Sequence, residues 1–269
     1  MKNSRPVMKV RSIWISDIHL GFKGCQAEAL LNFLHAVEAE YLFLVGDIVD
    51  FWSIKKSPCW TQEHTNVIRS ILGKAKHGTR VIYIPGNHDE VMRECVGHKF
   101  GNLEIHREFV HTTADGRKLL VLHGDEFDVV VKHSRVLAKM GGWAYDKLLS
   151  LNYFVNRARR LFRFSYWSLA AYLKMKVKNA VSYISSFEDA VVHIAKEYEV
   201  DGVVCGHIHH PEIRTIEGLI YCNDGDWVES CSALLEQPDG TLELKHWLRE
   251  NPIRQPSTVV DLSDQQEAA

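Results

Sequence analysis

Five short segments of the chain carry the residue types that bind divalent metals, and each stands directly after an apolar run. They are Asp17-Ile18-His19, Gly46-Asp47-Ile48-Val49-Asp50, Gly86-Asn87-His88-Asp89, His123-Gly124-Asp125 and Gly206-His207-Ile208-His209. The runs before them are Arg11 to Ile15, Tyr41 to Val45, Arg80 to Ile84, Leu119 to Leu122 and Gly202 to Cys205. Taken singly, each segment reads as a turn or a loop start; Asn-His-Asp is a good turn tripeptide. Taken together, they put carboxylates, imidazoles and one amide at successive strand ends, where α/β proteins gather their chemistry. Asp17 and His19 are two residues apart, as are His207 and His209, so each pair shares a face if the chain stays extended. Oxygen and imidazole donors without cysteine suit Mn, Fe or Zn in a reactive site better than Ca or a structural zinc. Two such ions about 3.5–4 Å apart answer both difficulties of phosphoester hydrolysis, a poor water nucleophile and the charge that develops on the phosphoryl group.

Positioning these residues takes alternating strands and helices. Helical periodicity runs from Gln26 to Glu38 and again from Thr61 to Lys76, each stretch lying between two apolar runs, which predicts an α/β domain. Leu103 to Val110 and Lys118 to Leu122 read as paired strands joined at Asp115-Gly116. Strands return after Glu199, through Val203, Ile213, Ile220 and Leu242, with turns at Glu217-Gly218 and Asp239-Gly240. The expected organisation is one discontinuous core, residues 1–130 and 181–250, interrupted by a helical insertion at 131–180 and followed by a loose tail at 251–269. The 269 residues, 46% of them hydrophobic, suffice for one sizeable core. A net charge of -2 argues against a general nucleic-acid binder. The six cysteines are scattered without a CxxC pair, which suits a reducing compartment. No apolar run reaches the roughly 18 residues of a membrane span, and Met1 to Arg11 lacks the apolar stretch of a signal peptide.

The insertion differs in character from the rest. Arg157, Arg159, Arg160, Arg163, Lys174, Lys176 and Lys178 stand there against the single acid Asp146, interleaved with Trp143, Tyr153, Phe154, Phe162, Phe164, Tyr166 and Trp167. A basic aromatic helical segment suits an anionic membrane surface, or a lid over a phosphate-bearing lipid. Arg157, Arg159, Arg160 and Arg163 are the candidate substrate- and membrane-binding residues.

With all five segments in order, the chain resembles the calcineurin-like metallophosphoesterases, whose signature is D-x-H, G-D-x-x-D, G-N-H-[DE], H-G-D and G-H-x-H. The resemblance implies an αβ-sandwich, two sheets flanked by helices, and two divalent metal ions, with manganese expected and iron and zinc open. It implies that Asp17, His19, Asp47 and His209 hold one ion. Asp47, Asn87, His123 and His207 would hold the other, with Asp47 bridging. His88 matches the family's catalytic histidine, and Asp50 the carboxylate that orients it. Phe51 stands where the protein phosphatases of the family have Arg, which points away from that branch. Gly46 to Trp52, the placement of the insertion, Gly206 to Pro211 and Gly225-Asp226-Trp227 are similar to the lipid A branch, whose members hydrolyse UDP-2,3-diacylglucosamine. That branch has Arg where this chain has His88 and His210. The implied substrate is a lipid-linked nucleotide diphosphate, cleaved to UMP and a lipid 1-phosphate. The implied location is cytoplasmic and peripheral on the inner face of the inner membrane, with no nucleic-acid partner.

Overall fold

A computed structural model describes residues 7–129, 187 and 190–251. The expected insertion at 131–180, with Arg157, Arg159, Arg160 and Arg163, lies outside the described residues, as does all but the first residue of the expected tail. The described strands run in chain order as β1 (Met8–Ile15), β2 (Val37–Val45), β3 (Arg80–Ile84), β4 (Lys99–Phe100), β5 (Leu103–Ile105), β6 (Phe109–Thr112), β7 (Lys118–Val121), β8 (Gly202–Cys205), β9 (Glu212–Ile216), β10 (Leu219–Asn223), β11 (Ser232–Glu236) and β12 (Leu242–His246). Three helices accompany the first of them: α1 (Ala27–Ala36), α2 (Phe51–Lys56) and α3 (Gln62–Lys76). Residues 190–197 are helical as well.

The strands form two sheets, β12-β11-β1-β2-β3-β5-β4 and β6-β7-β8-β10-β9. In the first, β1, β2, β3 and β5 run parallel. In the second, β7, β8 and β10 run parallel. Alternation along each strand explains why the sheets stack. Trp14, Phe43, Val45, Ile82 and Ile84 of the first sheet meet Leu119, Val121, Val204 and Cys222 of the second, all fully buried, with partly buried Tyr41, Phe109, Ile220 and Leu242 packed against them. The intervening positions point the other way: Ile13, Ile15, Leu42, Leu44 and Val81 pack under Leu30, Phe33, Leu34, Val67 and Ile71 of α1 and α3. On the far side, Leu120, Leu122, Val203 and Tyr221 pack against Phe187, Val191 and Ala195. Period-2 burial on strands and period-3.6 burial on helices thus give four layers, helix on sheet on sheet on helix. This is the expected sandwich.

β11 (Ser232–Glu236) is not marked by the sequence pattern, and three further details differ from the sequence expectation. Leu103 to Val110 is not one strand: β5 joins the first sheet and β6 the second, and the chain crosses between them at 106–108. Only β6 pairs with β7, around the Asp115-Gly116 turn. The first helix ends at Ala36, two residues early, because Val37 is extended and already pairs with Met8. Helix α2 was not expected; its six residues are held at the N-terminus by Asp50, whose Oδ1 accepts the Ser53 amide at 2.7 Å.

Candidate metal centre

The parallel strands of both sheets end at one edge of the sandwich, and every candidate ligand sits just past such an end. Asp17 and His19 follow β1, Asp47 follows β2, and Asn87 and His88 follow β3. His123 follows β7, and His207 and His209 follow β8. Backbone bonds lace the loops together. Asp17 N–H donates to Gly46 O at 3.0 Å, His19 N–H to Asp47 O at 2.9 Å, and Leu20 N–H to Ile48 O at 2.9 Å.

Asp17, His19, Asp47, His207 and His209 all have positive φ, between 49° and 68°. The two-residue pairs therefore do not converge as extended strand, as the spacing predicts; they converge through left-handed turns. Such a conformation costs a non-glycine residue of order 1–3 kcal/mol and clusters at functional sites. Aspartate is among the types that tolerate it best, with histidine close behind. Two motif glycines are required by space. A Cβ on Gly46 (φ 81°) would lie 2.2 Å from His123 Nδ1, and one on Gly86 would lie 2.4 Å from Asp47 Oδ1 and 2.6 Å from His123 Nε2.

Three groups of donor atoms gather within 4.8 Å of one another: Asp17 with His19 and His209, Asp47 with His123 and His207, and His19 with Asp47 and His88. His209 Nε2 lies 3.0 Å from Asp17 Oδ1, and His123 Nε2 lies 3.5 Å from Asp47 Oδ1. His19 Nε2 lies 3.8 Å from Asp17 Oδ1 and 4.0 Å from Asp47 Oδ2, so it stands between the two carboxylates. The fit to metal ions rests on atoms left over. Asn87 Oδ1 and His123 Nε2 are buried without a hydrogen-bond partner, and Asp17 Oδ1 has His209 Nε2 beside it at 3.0 Å. Buried polar atoms are otherwise almost always paired. His123 Nδ1 donates to Val45 O at 2.8 Å, which turns the Nε2 lone pair toward Asp47. These donors fit a cation.

The electrostatics agree. Burial works to raise Asp17, but the His209 hydrogen bond and the nearby His209, His123 and His19 outweigh it and hold the carboxyl well below its ordinary range. Asp47 is held low as well, against its burial, chiefly by His123. Burial works to lower His123, but Asp47, Asp17 and Asp125 push it up to about 10. Burial is likewise overcome at His209, which Asp17 raises to about 9. His207 falls to about 3 through burial and the nearby His123. The carboxylates are thus prepared to stay ionised, while two of the imidazoles hold protons that a bound cation would displace.

His88 lies at the open side of this cluster, sharing one donor group with His19 and Asp47. Its side chain is one-quarter exposed, its Nδ1 lies 2.9 Å from Asp50 Oδ1, and its Nε2 lies 3.9 Å from Asp47 Oδ2. Asp50 also lies 3.2 Å from His19 Nδ1, so one carboxylate touches both the ligand-type His19 and His88. Trp52 packs on His88 with ring centroids 4.3 Å apart. The seven expected ligands, together with His88 and Asp50, therefore gather at one edge. The insertion arginines lie outside the described residues.

Sequence reasoning missed the supports behind the ligands. Ser16 Oγ lies 2.6 Å from Asp17 Oδ2, 2.6 Å from Asp224 Oδ1 and 3.0 Å from Gly225 O. One hydroxyl proton cannot serve three acceptors. Burial pushes Asp224 well above the ordinary carboxylate range. Burial thus favours the neutral carboxyl at Asp224, the form that can donate to Ser16 while Ser16 donates to Asp17. Asp226 gathers the amides of Val228, Glu229 and Ser230, and Trp227 N–H donates to Asp17 O at 3.1 Å. Gly225-Asp226-Trp227 was the only sequence signal of this support. Arg93 donates to both oxygens of Asp125 at 2.8 Å and ties the His123 loop to the turn after His88.

Comparison with known proteins adds to this geometry. The model of the family described as calcineurin-like phosphoesterase matches residues 10–211. A UDP-2,3-diacylglucosamine hydrolase of Tolumonas auensis is 22% identical over 215 residues, covering 76% of this chain and 82% of that protein. The protein of the same name from Yersinia pseudotuberculosis is 24% identical over 225 residues, covering 77% and 85%. Among solved structures, an archaeal phosphodiesterase aligns with a TM-score of 0.41 and 12% identity, covering 87% of this chain and 98% of that one.

Proposed function

Since the chain belongs to the calcineurin-like phosphoesterase family and is a metal-dependent hydrolase, we propose that it cleaves the diphosphate of UDP-2,3-diacylglucosamine or a near relative. Water adds at the α-phosphorus, the bond to the bridging oxygen breaks, and UMP and a lipid 1-phosphate leave. The reading is carried by the convergence of Asp17, His19, Asp47, His123, His207 and His209, with Asn87 Oδ1 and His123 Nε2 buried and unpaired. Relatives named for that substrate over most of their length support its choice.

Asp17, His19, Asp47 and His209 would hold one ion. Asp47, Asn87, His123 and His207 would hold the other, and manganese is the proposed metal. Such a pair supplies an activated water at neutral pH and positive charge for the phosphoryl oxygens. Residues of the chain do the rest. His88, outside the ligand set and facing solvent beside Asp47, donates a hydrogen bond or a proton to the phosphate as charge builds in the transition state. Asp50 Oδ1 lies 2.9 Å from its Nδ1, which leaves Nε2 toward the site. The Asp50 carboxyl is kept ionised, against the effect of its burial, by His19, His88 and Ser53. The two carboxylates nearest the ions remain charged through neutral pH for the reasons given above.

Substrate delivery is assigned to the basic aromatic insertion, with Arg157, Arg159, Arg160 and Arg163 facing an anionic membrane. No described helix is long and apolar enough to cross a membrane. The test is turnover of UDP-2,3-diacylglucosamine in detergent beside a nucleotide diphosphate that lacks acyl chains. Preference for the acylated substrate by at least tenfold in kcat/KM supports the reading. Equal turnover makes the protein a phosphodiesterase of the same family with another substrate.

A further inference from the structure

The tripeptide Asn87-His88-Asp89 ends on a carboxylate that no ligand set includes. Asp89 is fully buried. Its Oδ1 accepts the Gly86 amide at 2.6 Å and the Asp47 amide at 3.3 Å. Its Oδ2 accepts the Ile48 amide at 2.8 Å and the Tyr83 hydroxyl at 2.5 Å. The four donors come from two places: the loop after β2, which carries Asp47, and the end of β3 with the loop that carries Asn87 and His88. The Asp47 and Ile48 carbonyls are bonded to the loop after β1, whereas their amides go to Asp89, and Asp47 is in the left-handed region. Two further bonds cross the same gap, from His88 N–H to Asp47 Oδ1 at 2.8 Å and from Phe51 N–H to His88 O at 3.2 Å.

We propose that Asp89 is a positioning residue for the metal centre: by accepting amides from both loops it fixes Asp47 relative to Asn87 and His88. The inference rests on the two-ion reading above. Charge-assisted bonds to a buried carboxylate are about twice as strong as neutral ones. All four of its acceptor positions are used by donors that do not move independently of the loops. An amide in its place cannot do the same. Whichever way Asp89→Asn is turned, its NH₂ faces at least one backbone N–H, and that loop must move off. Tyr83 contributes the one donor from within a strand, so losing its hydroxyl leaves both loop contacts intact.

The experiment is manganese binding to metal-free protein by equilibrium dialysis, with melting temperatures measured alongside. The variants are Asp89→Asn, Asp89→Glu and Tyr83→Phe. Asp89→Asn should weaken the more weakly held ion about 10- to 100-fold, the usual cost of losing a partner behind a ligand. Asp89→Glu, which keeps the charge and displaces it by one methylene, should weaken it about 3- to 10-fold. Tyr83→Phe should lower the melting temperature and leave both affinities within about threefold. If Asp89→Asn does not fold, Asp89→Glu against Tyr83→Phe decides. Variants that melt lower but bind both ions as the wild type does would give Asp89 a folding role only and refute the proposal. Wild-type protein that binds fewer than two ions refutes the two-ion reading instead, and this inference falls with it.

Discussion

Replacing Gly86 by alanine isolates the geometry of the site from its chemistry, because no ligand is removed. The added Cβ would lie 2.4 Å from Asp47 Oδ1 and 2.6 Å from both Nε2 and Cδ2 of His123, where 3.4 Å is ordinary contact. Asp47 and His123 must together open by about 1 Å, and a misplacement of that size costs about 100-fold in rate. Both neighbours are buried and tied, Asp47 by the His88 amide and His123 by Val45 O, so neither can swing away freely. Overpacking should also cost about 1–3 kcal/mol of stability. Gly73 provides the control. It lies inside α3 with no atom within 4 Å of an added Cβ. Gly73→Ala should stabilise by about 0.5–1 kcal/mol and leave turnover unchanged. The assay is hydrolysis of a chromogenic phosphodiester with metal analysis and a melting curve for each variant. A Gly86→Ala enzyme with wild-type turnover and metal content would refute the packing of Asp47 and His123 against Gly86.

His88→Ala should lower kcat by about 10²- to 10⁴-fold with metal content near normal; loss of metal would make His88 a ligand, and unchanged kcat would remove it from the mechanism. At the other end of β1, burial works to raise Glu236, but His111, Ser12, Arg11 and the Ala114 amide hold it at about 2. A depressed carboxyl stabilises the fold above its ordinary value of 4.5, and that stability is lost as pH falls toward 2. Glu236→Gln should therefore cost about 3 kcal/mol at neutral pH and flatten the acid limb between pH 4.5 and 2 in denaturant titrations; an unchanged limb would contradict the assignment. Changing Arg157, Arg159, Arg160 and Arg163 to Glu should release the protein from anionic liposomes, at about 1 kcal/mol per charge, and raise KM for a diacylated substrate while sparing a small phosphodiester. Equal losses on both substrates would indicate a folding role for the segment.

The candidate ligands were legible because each follows a strand, and strands of alternating or continuous apolar residues are conspicuous. The site therefore followed from residue type and order. Its local conformation did not. Asp17, His19, His207 and His209 look like extended alternation in sequence, and only tertiary bonds such as Asp17 N–H to Gly46 O stabilise the left-handed turns they adopt. The buried supports were equally silent. Asp89 reads as a turn residue, and Asp224 lies more than 200 positions from the Ser16 it meets. β11 was missed because Ser232 to Glu236 is short and carries polar ends. Both ends are buried: Ser232 bonds Asp224 O, and Glu236 bonds Ser12 and His111. The split between β5 and β6 depends on which sheet has a free edge, which no local pattern records.

The central claim is that one buried carboxylate, Asp47, serves two ions in a hydrolytic site, and counting metal tests it most directly. Purified wild-type protein reconstituted with manganese should hold two ions per chain and hydrolyse a phosphodiester. Asp47→Ala should lose both the second ion and turnover while keeping its far-UV spectrum, since the residue lies beyond the strand end and outside the core. An Asp47→Ala protein that retains two ions and wild-type turnover would contradict the account.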